Sequence, residues 1–86
     1  MEIIKVSARS MPKLVAGAIA AVIRDGKKAE VQAVGAGAAN QAVKAVAITR
    51  TYMKAEDVDV ICRPGFTEIE IEGVEKTAIQ LIVEKA

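Results

Sequence analysis

The chain has 86 residues, a formal charge of +1, no histidine and one cysteine, which suits a single domain, residues 1–86, with one modest core. Hydrophobic residues make up 52% of it but aromatic residues only 2%, so the core must be built from Val, Ile, Leu and Ala, and little remains for stacking bases. A lone Cys62 excludes an intrachain disulfide, and the lack of histidine removes the commonest acid–base group and metal ligand.

The first strand is expected over Glu2–Ser7, with Ile4 and Val6 on one face and Ile3 and Lys5 on the other. Arg9-Ser10-Met11-Pro12 turns into a helix, with Ser10 as the N-cap and Pro12 in the first turn, where a missing N–H costs little. That helix should run to Arg24 and stop at Asp25-Gly26. Leu14, Val15, Ala18, Ile19, Val22 and Ile23 form its apolar face, while Ala16, Gly17, Ala20 and Ala21 suggest a second face packed on another helix or subunit. Its apolar run, Leu14 to Ile23, is ten residues long, about half of what a bilayer crossing needs. The N-terminus is unlike a signal peptide, and a cytoplasmic protein is expected.

A second strand, Glu30–Val34, breaks at Gly35-Ala36-Gly37 and continues as a helix through Asn40, Gln41, Lys44 and Arg50 to the region of Tyr52–Ala55. Ala39, Ala42, Val43, Val46 and Ala47 are its expected core face. Beyond Asp57 the period becomes two. Val58, Val60 and Cys62 alternate with polar or outward residues, Pro64-Gly65 interrupts, and Ile69 and Ile71 then alternate with Glu68, Glu70 and Glu72. Gly73 marks a turn and Lys76–Glu84 returns, making a long hairpin with a bulge or bend at Pro64-Gly65. The pattern is β-α-β-α-β-β, a two-layer α/β sandwich.

Charge divides the chain. Residues 1–54 hold nine basic and three acidic side chains, a balance of +6, whereas residues 55–86 hold three and eight, a balance of −5. Such asymmetry suits either a basic binding face or a head that meets the acidic tail of another copy.

The segments Val6-Ser7-Ala8, VAGAIA, QAVGAGAANQAVKAVAI and TAIQLIVE together resemble the stage V sporulation protein S family over nearly the whole chain. VGAGAANQAVKAVAI is the most specific part. That family is similar in fold to the Alba-like chromatin and RNA-binding proteins. The resemblance therefore implies a mixed four-stranded sheet with two helices on one face, a homodimer or higher homo-oligomer, and a nucleic-acid-binding or regulatory role in sporulation and septation. It assigns no reaction.

Residue by residue, the nucleic-acid part of that implication is uneven. An Alba lysine pair after the first strand corresponds to Arg9 and Ser10, so one charge is kept. An arginine-glycine-arginine turn corresponds to Gly35-Ala36-Gly37, and a lysine early in the second helix to Gln41. The hairpin arm carries Glu68, Glu70, Glu72 and Glu75, which suits a DNA-tracking arm poorly because phosphate neutralisation supplies much of the affinity.

The candidate nucleic-acid site comprises Arg9, Lys13, Gly35, Gly37, Asn40, Gln41, Lys44 and Arg50. Glycines at a strand-to-helix turn leave amides open to a phosphate, with Asn40 and Gln41 adding polar contacts. The same turn is also what a short connection needs for structural reasons alone, and it is neither a P-loop nor a dinucleotide fingerprint. Arg9, Lys13, Lys44 and Arg50 are read as phosphate contacts, against the alternative of ordinary solvated charge. Cys62 reads as a small core residue, and Phe66 as an edge cover or subunit contact. No catalytic residue, metal site, cofactor, small-molecule substrate or membrane partner is expected. The main alternative function is a self-assembling protein-interaction module.

Overall fold

The computed structural model describes residues 1–86. The elements are β1 (Glu2–Val6), α1 (Pro12–Arg24), β2 (Ala29–Ala33), α2 (Ala36–Lys54), β3 (Val60–Ile71) and β4 (Val74–Lys85). They form one four-stranded sheet in the order β1-β2-β4-β3. β1 runs parallel to β2, and the other pairs are antiparallel. This is the two-layer α/β sandwich expected from the pattern. No helix is long and apolar enough to cross a membrane.

Pairing register decides which side chains meet the helices. Val31 pairs with Leu81 and Ala29 with Val83, and all four belong to the buried core with Ile19, Ile23 and Met53. Each such large aliphatic side chain contributes about 1.5–3 kcal/mol by leaving water. The helices share a seam of small residues: Ala16 and Ala20 on α1, and Ala42 and Ala45 on α2, are fully buried. Because the side chain of Ala16 is only a methyl group, the helices approach closely and the Thr49 hydroxyl of α2 lies 3.3 Å from the Ala16 carbonyl while donating to Ala45 O at 2.8 Å. Thr49 is thus a buried polar group with its hydrogen bond made, as burial demands.

This seam corrects the expected helix faces. Leu14 is 68% and Val43 58% exposed, so neither belongs to the core. Ala18 and Ala47 are exposed too. Both helices are rotated towards their alanines, because close helix–helix contact buries more of a small residue than of a Leu on the flank. Of the small second face expected of α1, Ala16 and Ala20 pack on α2, whereas Gly17 and Ala21 stay exposed.

Two further corrections concern the ends of elements. Ser10 does not cap α1. Its Oγ accepts from Ser7 N–H at 2.9 Å, and the N-cap position is Met11 with no side-chain cap. The C-terminus behaves as read: Gly26 at φ 76° follows Asp25, with Lys27 N–H bonded to Val22 O and Gly26 N–H to Ile23 O, a left-handed closing turn. At Pro64-Gly65 there is no bulge, and the register runs unbroken through Pro64 opposite Leu81 and Gly65 opposite Gln80. β3 is an edge strand, and there a proline needs no ladder partner on its free side.

β4 pairs with β2 only over Ile79–Val83. The rest of the hairpin, Thr67–Ala78, therefore projects as a two-stranded arm. A twelve-residue strand is about 40 Å long, which accounts for the 41 Å long axis of a molecule only 22 × 17 Å across. Val6 pairs with Ala33, and Ala33 with Ile79. The arm thus leaves the sheet at the end where β1 and β2 turn into their helices.

Candidate functional site

At that same end, the β1–α1 loop folds over the start of α2. Gly35 lies at φ 87°, ψ 160°, a combination essentially restricted to glycine, and it sets the angle at which α2 leaves β2. Gly37 serves a different purpose. A Cβ there would stand 3.0 Å from the Ala8 Cβ, so the space above this turn is filled by Ala8. One turn further on, Gln41 Nε2 donates to Ala8 O at 3.1 Å. Ala8 is gripped from both sides, and Arg9 follows it directly in the chain. Within the loop, Arg9 N–H donates to Ser7 Oγ at 3.2 Å.

The result is an open groove of about 660 Å³ between the start of α1 and the side of α2. Arg9, Lys13, Gln41 and Lys44 line it, together with Met11, Pro12, Ala47 and Ile48. None of the three cations takes part in an ion pair within the chain. Neither helix carries an acidic residue in its first turn, so the positive ends of both helix dipoles go unopposed locally. The arrangement is an anion-attracting groove with a partly apolar lining.

Half of the sequence-derived candidates therefore gather in one place: Arg9, Lys13, Gln41 and Lys44. The others do not line the groove. Gly35 and Gly37 form the turn beside it, and Asn40 is exposed next to Gln41 without lining it. Arg50 lies farther along α2, where its Nε is 3.4 Å from Asp59 Oδ1. Sequence reasoning missed Met11 and Ile48 as lining residues and placed Ala47 in the core. The signal was present in the spacing Gln41, Lys44, Ala47, Ile48, a single stripe along a helix.

Several charges elsewhere are compensated. A second open depression, about 500 Å³, is lined by Glu2, Arg24, Asp25 and Lys27 among others, where Lys27 pairs with both Glu2 and Asp25. Arg24 Nε donates to Glu56 Oε2 at 2.9 Å, which holds the Glu56 carboxyl below its ordinary value and raises the Arg24 guanidinium. Arg63 likewise hydrogen-bonds Glu84 and lowers its carboxyl. Burial pushes the Cys62 thiol up, away from the thiolate a nucleophile needs. No group of three or more Cys, Asp or Glu side chains is arranged to hold a metal.

The chain is thus a small α/β domain with a basic groove and a hairpin arm at the same end. The model of the stage V sporulation protein S family matches residues 2–86. The chain belongs to that family, and its membership supports a regulatory role in sporulation.

Proposed function

We propose that this protein is a non-enzymatic regulator that acts in the cytoplasm by binding nucleic acid, with the Arg9–Lys13–Lys44 groove receiving backbone phosphates. The observation that carries the reading is the gathering of three exposed, unpaired cations around one groove. Arg24, Lys27, Lys28, Arg50 and Arg63 all have acidic partners, and the remaining unpaired cations, Lys5, Lys54, Lys76 and Lys85, do not line this groove. Exposed lysines gain little from intrachain pairing, but a phosphate chain that releases counterions on meeting them gains affinity with each contact. Gln41, fixed on Ala8, has its carboxamide oxygen left to meet a ribose or base donor.

Contacts to phosphate position a nucleic acid without reading its sequence, and with only Tyr52 and Phe66 as aromatic residues the protein has little to stack on bases. Binding is accordingly of low sequence selectivity. Titrating labelled duplex DNA, single-stranded DNA and RNA with the wild type and with the Arg9→Glu, Lys13→Glu variant tests this. The reading requires salt-sensitive binding that the variant loses while remaining folded. Equal affinity in the two proteins would reject the groove as the site.

A further inference from the structure

We propose that the groove is also the docking site for the acidic hairpin arm of a second copy of this chain, each arm lying in the other copy's groove. The proposal rests on the groove described above and does not require that the groove bind nucleic acid.

The arm, Thr67–Ala78, carries Glu68, Glu70, Glu72 and Glu75 against Lys76 alone, a balance of −3. None of the four glutamates has a cationic partner in the chain. Of the unpaired cations, Arg9, Lys13 and Lys44 are the three that one groove gathers. Register places three of the glutamates together. Cross-strand partners share a face, and Glu70 pairs with Glu75, Glu68 with Thr77 and Phe66 with Ile79. The face of Glu68, Glu70 and Glu75 is therefore continuous with Phe66, which is 76% exposed. On the opposite face, Ile69 and Ile71 line a cleft with Lys5, Ser7, Gln32 and Val34 of the arm's own domain. One face of the arm is thus turned to its own domain, and the glutamate face stays free.

Two features argue for a partner rather than solvent. Glu70 directly opposite Glu75 is a like-charge cross-strand pair, which destabilises a hairpin and which a cation laid across it relieves. The groove has apolar surface in Met11, Pro12 and Ile48, and the arm brings Phe66 on the same face as its carboxylates. Charge alone would steer an encounter, whereas charge with a matched apolar contact holds it. Because arm and groove occupy the same end of the domain, two copies can exchange arms about a two-fold axis in a closed, self-complementary contact.

A charge-swap experiment tests the proposal without nucleic acid. One variant carries Lys13→Glu and Lys44→Glu, the other Glu68→Lys, Glu70→Lys and Glu75→Lys. Sedimentation velocity across a concentration series is run for each alone and for the mixture, with circular dichroism as the check on folding. A variant that fails this check is replaced by its Gln counterpart. The wild type should self-associate, more weakly at high salt. Each reversed variant should show a dissociation constant raised on the order of tenfold or more. Their mixture should restore association, because acidic groove then meets basic arm and basic groove meets acidic arm. A monomeric wild type at every concentration, a dimer indifferent to both reversals, or a mixture no tighter than its components would each overturn the proposal. Nucleic-acid titration of the same proteins separates the two readings. The arm-reversed variant keeps its basic groove, so it should still bind nucleic acid whether or not arms exchange.

Discussion

Replacing Lys13 and Lys44 by Gln, singly and together, measures how many phosphates the groove neutralises. If Arg9, Lys13 and Lys44 each displace one condensed counterion from duplex DNA, the slope of log K against log salt is about −2.7, at about −0.9 per contact. Raising salt from about 50 to 200 mM then weakens binding about 40-fold, or about 20-fold on a single strand at about −0.7 per contact. Each Lys→Gln step should flatten the duplex slope by about 0.9, leaving about −0.9 in the double variant. Both lysines are exposed and neither has an intrachain partner, so no carboxylate is orphaned and stability should stay within about 0.5 kcal/mol of wild type. Fluorescence anisotropy over a salt series reads the slopes directly. A double variant that binds with the wild-type slope would refute the assignment of these lysines. A wild-type slope near zero would refute the electrostatic argument as a whole.

Other expectations follow from contacts that hold the groove in shape. Gly37→Val should destabilise by about 1–3 kcal/mol through overpacking, since even a Cβ would lie 3.0 Å from Ala8, and it should also weaken anion binding by shifting Arg9. Gly37→Ala gains up to about 1 kcal/mol of helix propensity against a smaller clash, and should melt close to wild type. At the helix seam, Thr49→Val removes a buried hydrogen bond worth about 1 kcal/mol but keeps the shape, whereas Thr49→Leu must part α1 from α2 and should cost about 1–3 kcal/mol; urea melts distinguish them. For acid, Glu56 and Glu84 have folded-state values held below the ordinary 4.5 by Arg24 and Arg63. Their stabilisation is therefore fully present above that pH and is lost as pH falls through the lowered values. The melting temperature should decline below pH 4.5, and Glu56→Gln with Glu84→Gln should make that decline shallower. The effect is small, because Arg24, Glu56 and Arg63 are exposed to water and only Glu84 is partly covered.

Element order was legible because each element carries its own period: two in Val60–Cys62 and Glu68–Ile71, helical in α1 and α2. Strand and helix stops were legible at Gly26 and at Glu72-Gly73, where positive φ values of 76°, 51° and 78° close the turns. What the periodicity did not reveal was the rotation of the helices. In a chain where Ala, Val and Leu all read as apolar, hydropathy cannot separate a seam of alanines, which lets helices approach, from a flank of larger residues. Leu14 and Val43 were therefore placed inward, and nothing in the pattern marked Thr49, which close approach at Ala16 draws in. The bulge at Pro64-Gly65 was read from local propensity, which an edge position with unbroken register overrides. At the groove, the cations were legible as isolated charges. Their meeting depends on the tertiary grip of Gly37 and Gln41 on Ala8, which no local pattern encodes.

Placing arm and groove at one end couples self-association to nucleic-acid binding. A phosphate backbone entering the groove passes the glutamate face of the same chain's arm, and like charges there reduce both encounter rate and affinity. The arm reversal Glu68→Lys, Glu70→Lys, Glu75→Lys should therefore tighten nucleic-acid binding while it weakens self-association. If a partner's arm and a phosphate chain use the same three cations, they exclude each other. Linkage then requires that nucleic acid dissociate the dimer by the same factor by which dimerisation lowers nucleic-acid affinity. Sedimentation of the wild type with increasing amounts of a short labelled duplex decides the sign. Dissociation to nucleic-acid-bound single copies fits competition for Arg9, Lys13 and Lys44. Tighter association in the presence of the duplex would instead place the phosphates on a surface that two copies build together, and the groove would then hold only the arm.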